Sequence, residues 1–298
     1  MLNPAFLYLF IPVLFWGVSY ISIKVVLTQL DPVEMITARL FLATITLFLI
    51  IKLKGIRILP SVNWVKLIVA SIIVFFHFWV MATGMQETSA SNTAWILTTA
   101  PIFVAILAWL YLREPFGGWQ WVGLIVASAG VVALSYNGDI ANLGWTNSRG
   151  DFIVLGSCVT WGLYTVSARD ITKTIDPLVA TFWTCALAAG VFVPYTLATG
   201  GMEKYLALHD KTVVHLVFLG VGCLAISFWL WSEGLAKMNA AEVGLYLYVE
   251  PIITVVAAWV LLHEMPTWWL AIGAILISLG VYLAESFGKK IIPVEHDA

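Results

Sequence analysis

The feature that most constrains this chain is a series of long apolar runs, joined by short polar connections. A helix of roughly 20 apolar residues crosses the hydrocarbon core of a bilayer, where the backbone must satisfy its own hydrogen bonds. We therefore predict an all-α integral membrane protein with ten transmembrane helices. Their predicted extents are 5–27, 33–51, 64–84, 89–112, 118–136, 151–168, 178–199, 213–234, 240–262 and 268–286.

Composition agrees with a protein whose solvent is the lipid bilayer. Hydrophobic residues make up 61% of the chain, charged residues 11%, and the mean hydropathy is +0.95, which leaves too little polar surface for a soluble globule. The formal net charge of -2 provides no basic excess, so nucleic acid is not an expected partner. The N-terminal run lacks a basic segment and a small-residue cleavage site, so we expect a retained helix.

The three cysteines show no metal-like spacing to one another or to the histidines. Cys158, Cys185 and Cys223 each lie in an apolar run and are predicted to be small buried side chains. The sequence predicts no metal and no cofactor.

Lysine and arginine predict the orientation, because cytoplasmic connections hold the excess of these residues. If ten helices alternate, one side collects Lys52, Lys54, Arg57, Lys66, Arg113, Arg169, Lys173, Lys237, Lys289 and Lys290. The other side collects Arg149, Lys204 and Lys211. Lys24, Glu34 and Arg39 are expected near the outer face, snorkelling or paired, with a guiding role for cargo as the alternative. Both termini are therefore predicted to be cytoplasmic, in a bacterial inner membrane.

The second half of the chain resembles the first. A shift of 150 residues aligns 90–132 with 240–282, and roughly a third of this stretch is identical. The identities include Pro101/Pro251, Ala108/Ala258, Trp109/Trp259, Glu114/Glu264, Trp119/Trp269, Gly123/Gly273, Ser128/Ser278 and Gly130/Gly280. Earlier in each half, a shift of 145 aligns Trp16-Gly17 with Trp161-Gly162 and Asp31-Pro32 with Asp176-Pro177. We predict repeats at 1–136 and 151–287, with a linker at 137–150 and a cytoplasmic tail at 288–298.

Five helices per repeat is an odd number, so the second repeat enters the membrane from the opposite side. Inverted repeats provide two nearly equivalent arrangements around a central site, which is the basis of alternating access in transporters. The sequence therefore favours a transporter over a receptor or an enzyme.

A motif present twice carries a family resemblance. Each copy has a mid-helix proline, an alanine-containing run and a Leu-x-Glu ending, from Pro101 to Leu112-Arg113-Glu114 and from Pro251 to Leu262-His263-Glu264. This pattern resembles the drug/metabolite transporter superfamily, in its EamA-type ten-helix branch. The resemblance covers essentially the whole chain and implies an inner-membrane carrier with a central cavity, similar to exporters of aromatic and other amino acids. Arg113 and His263 depart from the common Leu-Gly-Glu ending, a difference expected to affect the interfacial loop.

The first helix of each repeat contains aromatic residues at mid-membrane depth. Trp16 and Trp161 occupy matching positions, Tyr20 lies one turn after Trp16, and Tyr164 lies three residues after Trp161. An amphipathic ring gains nothing from the membrane interface at this depth, so its polar edge should face protein or a wet cavity. We predict that these residues contact the substrate, and ordinary helix packing is the alternative.

Two helices are predicted to kink at Pro101 and Pro251, and polar residues precede each proline. Glu250 and Tyr246 are one turn apart in the ninth helix, and Trp95 and Thr98 precede Pro101 in the fourth, and all four are candidate substrate-binding residues. A mid-membrane carboxyl is costly, so Glu250 should face the bundle interior. It is predicted to bind an amine or carry a proton, with a hydrogen bond across a kinked helix as the alternative.

The third helix adds His77 and Met81 on one face. These are candidate substrate-binding residues, and for His77 an interhelical hydrogen bond is the alternative. Glu114 and Glu264 are predicted to cap or pair at helix ends. The glycines at 123, 130, 273 and 280 predict close helix contact, within the chain or across a weak homodimer.

The predicted cavity is rich in Trp, Tyr, Thr and Met and has no expected fixed cation, which favours export of small neutral or zwitterionic metabolites such as aromatic amino acids. A carrier of phosphorylated sugars would need Lys or Arg at the membrane midplane, and an exporter of drugs or quaternary amines is a further alternative. A membrane enzyme would need paired carboxylates, an HExxH helix or a Ser/His constellation, and the sequence contains none.

Overall fold

Every regular element in the described part of this computed structural model is helical. The structure describes residues 4–59, 64–88, 90–114, 116–136, 149–253, 256 and 268–287. The helices are α1 (Pro4–Val26), α2 (Pro32–Lys54), α3 (Trp64–Glu87), α4 (Ala90–Leu97), α5 (Ala100–Leu107), α6 (Gly118–Tyr136), α7 (Arg149–Thr172), α8 (Pro177–Ala198), α9 (Gly201–Leu206), α10 (Asp210–Val217), α11 (Ser227–Lys237), α12 (Ala240–Leu245) and α13 (Trp268–Phe287). The predicted linker at 137–148 and the tail at 288–298 lie outside the described residues.

Among the described residues, six helical segments are long and apolar enough to cross a bilayer. They are Tyr8–Val26, Pro32–Lys54, Trp64–Glu87, Arg149–Thr172, Pro177–Ala198 and Asp210–Lys237. Shorter apolar helices occupy Ala100–Leu112, Gly118–Ala133 and Ala271–Ala284. The all-helical membrane class is therefore confirmed, and the predicted bounds of the six long segments lie within a few residues of the observed ones.

The Asp-Pro pairs mark helix starts as the sequence predicts. Proline fits the first turn of a helix, where its missing N–H is not needed, and a preceding aspartate can accept from orphan amides. Asp176 accepts from the backbone N–H groups of Leu178 and Val179 at 2.9 and 3.2 Å. At the start of α2 the Asp31 N–H donates to Glu34 at 2.9 Å.

Helical geometry changes at both predicted kink positions. The fourth predicted helix is interrupted at 98–99, and α5 begins at Ala100 directly before Pro101. Because proline has no N–H to donate to the carbonyl four residues earlier, the helix loses a bond at Leu97, where α4 ends. In the matching region Tyr246–Val249 forms a 3₁₀ turn before Pro251. Residues 254–255 and 257–262 of the ninth predicted helix lie outside the described residues.

A π-helical segment, Phe218–Ile226, joins α10 to α11, and a second one, Ala108–Leu112, follows α5. In a π turn the backbone hydrogen bonds join residues five apart instead of four. In the first of these segments the Cys223 carbonyl also accepts a hydrogen bond from the Trp16 side chain.

Helix packing brings elements from the two ends of the chain together. The helix α1 packs against α10, the π segment and α11, while α3 packs against α7, α2 against α8, α5 against α7 and α12, and α6 against α13. The α6–α13 contact is glycine-lined, since a Cβ added at Gly130 would lie 2.7 Å from the Ile277 nitrogen. The small-residue prediction is thus confirmed for contact within the chain.

The connection after α8 contains α9, a helix that the sequence did not predict. Lys204 in α9 forms ion pairs with Glu34 at 2.7 Å and with Asp31 at 3.0 Å. Hydrogen bonds to Glu34 and Asp31 raise the pKa of the Lys204 ammonium. Tyr205 donates to the Glu34 carbonyl at 2.8 Å, so α9 is held against the start of α2.

Candidate functional site

A central cavity lies among α1, α2, α3, the α4–α5 junction, α7, α11 and the turn before Pro251. Its volume is about 60 Å³, room for roughly four water molecules. It is lined by Trp16, Ser19, Tyr20, Ile23, Arg39, His77, Phe78, Met81, Leu97, Ala100, Trp161, Phe228, Leu247 and Glu250. Trp16, Tyr20, His77, Met81, Trp161 and Glu250 were predicted as substrate-contacting residues.

Two tryptophans from the matching helices α1 and α7 meet at this cavity. The rings of Trp16 and Trp161 are 5.1 Å apart in an edge-to-face arrangement, and Phe228 packs on Trp16 at 5.7 Å and on Trp161 at 5.6 Å. Trp231, fully buried, lies 5.2 Å from Trp16. Edge-to-face contacts of this kind hold rings in fixed orientations, so these residues form a shaped aromatic wall.

The two tryptophans differ in their hydrogen bonds. The Trp16 indole Nε1 donates to the Cys223 carbonyl, which lies in the π-helical segment, at 2.9 Å. The Trp161 indole faces α3, a regular helix, and its Nε1 has no acceptor among the described residues. Buried donors are almost always satisfied, so an acceptor such as water or a ligand is expected in the cavity beside Trp161.

A carboxyl and a phenol meet at the opposite wall. The Tyr20 hydroxyl donates to Oε1 of Glu250, and both side chains are buried. Placing a carboxylate inside the membrane costs about 2.5 to 3.5 kcal/mol on insertion scales, so a hydrogen bond from Tyr20 offsets part of this cost. The pair joins α1 to the ninth predicted helix at cavity depth.

His77 forms the interhelical hydrogen bond that was predicted as the alternative to substrate contact, and it also lines the cavity. Its Nδ1 lies 3.1 Å from the Ser157 carbonyl and 3.1 Å from the Thr160 hydroxyl, so it bonds α3 to α7. A carbonyl oxygen can only accept, which assigns the proton to Nδ1 and leaves Nε2 as an acceptor in the neutral ring. The imidazole also lines the cavity beside Trp161, at 5.2 Å between ring centres.

Arg39 contradicts the expectation of a cavity without a fixed cation. It was predicted to lie near the outer face, yet only 2% of its surface is exposed and it lines the cavity. The reason is its helical face: Met35 and Ala43, one turn away on either side, are fully buried, whereas Phe41 and Ile45 carry the exposed face of α2. Its guanidinium carbon lies over the Phe78 ring, 4.3 Å from the centroid, in a cation–π contact.

Three further predicted residues, Tyr164, Tyr246 and Thr98, are buried but do not line the cavity. Tyr164 is buried behind the aromatic wall, 5.6 Å from Trp161 and 5.1 Å from Phe228. Tyr246 and Thr98 are buried near the two proline positions. The side chain of Trp95 lies outside the described residues.

Sequence reasoning missed Arg39, Phe78 and Phe228 as lining residues. A charged residue eight positions into an apolar helix was an available signal for Arg39, because such residues usually face a bundle interior. Ser19 and Ile23 share the face of Trp16 and could have been added by helical spacing. Phe78 and Phe228 carried no such signal, since phenylalanine suits lipid equally well.

Polar contacts lie beyond the cavity at two levels of α7. Ten residues before Trp161, Asp151 accepts a hydrogen bond from Thr88, and in the same region Lys24 donates to the Met85 carbonyl. Eight residues after Trp161, Arg169 pairs with Glu114 at 2.9 Å. At 1.5 Å per residue these levels lie about 15 and 12 Å from Trp161, on opposite sides.

The Glu114 contact confirms its predicted role at a helix end. One carboxylate oxygen accepts from Arg169, and the other accepts from the Ala240 N–H at the start of α12, at 2.8 Å. Arg169 also donates to the Leu235 carbonyl at 2.6 Å. The equivalent Glu264 lies outside the described residues.

Comparison with known proteins adds the family. A sequence profile of the EamA-like transporter family matches residues 3–136 and again residues 148–285. An uncharacterized transporter of Archaeoglobus fulgidus is 26% identical over 284 residues, which cover 94% of this chain and 96% of the relative. The uncharacterized transporter YoaV of Bacillus subtilis is 22% identical over 272 residues, covering 91% and 92%. A protein of known crystal structure shares the fold with a TM-score of 0.76 at 18% identity, covering 95% of this chain and 96% of that one.

Proposed function

Because this chain belongs to the EamA-like transporter family, we propose that it exports small metabolites, first among them aromatic and other neutral amino acids, through the central cavity. It is a multi-pass membrane protein, and its family and relatives are transporters rather than enzymes. The observation that carries the proposed cargo is the lining: a buried aromatic wall with one carboxyl and one guanidinium. Flat apolar surfaces suit an indole, phenyl or thioether side chain, and the two charged groups suit a zwitterion.

The proposed architecture is ten transmembrane helices in two inverted repeats, 1–136 and 151–287. The double match of the family profile supports it. The packing supports it as well, since the third helix of each repeat packs against the first helix of the other. These pairs are α3 with α7 and α11 with α1. Gly17 likewise lies against the Glu250 backbone, and Gly162 lies against Phe103, two residues after the matching proline.

Transport is proposed to proceed by alternating access. The cavity is too small for an aromatic amino acid in this conformation, so loading requires the helices around it to separate. The contacts at Asp151 and Lys24 on one side, and at Glu114 and Arg169 on the other, are suited to closing the path in turn. Inverted repeats provide two equivalent arrangements for such an exchange.

The proposed orientation places both termini in the cytoplasm of a bacterial cell, with the protein in the inner membrane. We expect a cysteine at Lys54 to be protected from a membrane-impermeant maleimide in intact cells and a cysteine at Glu203 to react. Both positions are exposed, whereas the three native cysteines are buried and form a low background. Labelling of the cysteine at position 54 in intact cells would contradict the proposed orientation and place both termini outside the cell.

The cargo is tested in liposomes that contain only this protein. Uptake of Phe, Trp, Met and Thr is compared with uptake of a sugar phosphate, a quaternary-amine drug and Glu. We expect the neutral amino acids to be transported fastest, because the lining contains one group of each charge. Faster uptake of the sugar phosphate or the drug would replace the amino-acid proposal with one of those alternatives.

The aromatic wall is tested in the same assay. Trp161→Ala should lower phenylalanine flux at least about fivefold, since an aromatic contact is worth roughly 1 kcal/mol. Trp268→Ala is the matched control, because Trp268 is 86% exposed and does not line the cavity. Equal fluxes in the two variants, at equal amounts of folded protein, would assign Trp161 to packing alone.

A further inference from the structure

We infer that Arg39 binds the carboxylate of the cargo, so that an α-amino acid is held by its carboxylate at Arg39 and by its ammonium at Glu250. This inference rests on the proposed function and names the group that recognises the acidic end of the substrate. Both side chains line the same central cavity: Arg39 lies in α2, and Glu250 directly precedes Pro251.

The first argument is that the guanidinium is buried with unsatisfied donors. Nε and Nη1 of Arg39 have no hydrogen-bond partner among the described residues, and Arg39 forms no ion pair with any described carboxylate. A buried charge normally has a partner, and buried polar atoms without one call for a specific explanation. An anionic group of the cargo inside the cavity supplies the missing acceptors.

The second argument is the way in which the guanidinium is held. Its central carbon lies over the Phe78 ring, 4.3 Å from the ring centroid, in a cation–π contact. This contact holds the group without satisfying its N–H donors, and Nε and Nη1 remain without a partner among the described residues. Arginine presented in this way can bind a carboxylate through two parallel hydrogen bonds.

The third argument is the balance of charge. Among the described lining residues, Arg39 is the cationic side chain and Glu250 the acidic one. The carboxylate of a zwitterion would face Arg39 and its ammonium would face Glu250. A phosphate dianion would face Arg39 favourably but would also face the carboxyl of Glu250. The indole N–H of Trp161, which lacks an acceptor in the described residues, is a further donor in the same cavity. The chemistry therefore favours a carboxylate with an amine on the same molecule.

The test uses four probes that share a phenyl ring: phenylalanine, phenylalaninamide, 2-phenylethylamine and 3-phenylpropanoate. Each competes for uptake of labelled phenylalanine in liposomes and is also titrated into purified protein by calorimetry. We expect the wild type to bind phenylalanine at least about tenfold more tightly than phenylalaninamide or phenylethylamine, because neither of these two probes has a carboxylate that can pair with a guanidinium.

The variants Arg39→Gln and Arg39→Lys separate recognition from folding. We expect Arg39→Gln to abolish the preference for the carboxylate-bearing probes while retaining affinity for phenylethylamine, and Arg39→Lys to restore part of the preference. Arg57→Gln is the matched control, since Arg57 is exposed in the connection after α2. If Arg39→Gln does not fold, the wild-type ranking of the four probes decides the matter.

Two results would overturn the inference: equal affinity of the wild type for phenylalanine and phenylalaninamide, or an unchanged preference in folded Arg39→Gln. These results are distinct from failure of the proposed function. Binding that depends on Arg39 without flux in liposomes would contradict amino-acid transport and leave the carboxylate site in place. Flux of amino acids that is insensitive to Arg39 would retain the transporter and remove the site.

Discussion

Replacing Glu250 with glutamine is expected to reduce transport of amino acids by between about tenfold and a hundredfold while leaving the protein folded. The substitution preserves shape and an oxygen that accepts the hydrogen bond from Tyr20. It removes the negative charge that we propose holds the cargo amine. A hydrogen bond to a charged group contributes about 1.5 to 3 kcal/mol, which corresponds to this range of fluxes.

The pH dependence of transport provides a second readout of Glu250. If its carboxyl also carries a proton during the cycle, flux in the parent varies between pH 5 and 8 and flux in Glu250→Gln does not, because an amide does not titrate in this range. The measurement is the initial rate in liposomes with and without an imposed pH gradient. It separates binding of the amine from coupling to protons.

The matched control for this variant is Glu203→Gln, at an exposed position in α9. It removes the same charge at the membrane surface and should leave flux unchanged. Transport by folded Glu250→Gln at the parental rate, over the whole pH range, would limit Glu250 to a hydrogen bond between helices. Tyr20→Phe then shows whether that bond affects stability.

The second large effect is expected at Gly123, where a leucine should prevent α6 and α13 from packing. A Cβ at this position would lie 2.7 Å from the Ala284 Cβ and closer still to the Gly280 carbonyl. These are backbone and Cβ atoms, so no side-chain rotation relieves the overlap. Overpacking costs about 1 to 3 kcal/mol even where neighbours can adjust, and we expect the upper end or more here.

The measurement is the thermal stability of the purified protein in detergent, followed by the fraction that remains monodisperse. Gly190→Leu is the control, because a Cβ at Gly190 meets no atom within 4 Å and the residue is exposed on α8. We expect the Gly190 variant to match the parent and the Gly123 variant to lose folded material. Equal stability of the two variants would mean that the α6–α13 contact differs in the detergent-solubilised protein.

Much of the helical framework is predictable because the bilayer imposes its own length on the chain. Predicted helices such as 33–51 and 178–199 differ from Pro32–Lys54 and Pro177–Ala198 by a few residues, and the Asp-Pro pairs mark their starts. The repeated Pro-to-Glu motif indicated the family, which the profile match confirms. Trp16 and Trp161 were singled out by their depth and their matching positions in the two repeats, and they meet in the structure.

The sequence by itself therefore determined the class of protein, its helices and the family, because hydrophobic length and helix-start chemistry are local. Which face of each helix turns inward was decided only by tertiary structure. Soluble helices reveal their buried face through polar residues on the other side, but here the outer face contacts lipid and is equally apolar. Arg39 shows the consequence: its depth suggested the membrane surface, whereas the packing of α2 against its neighbours places the guanidinium on Phe78 inside the cavity.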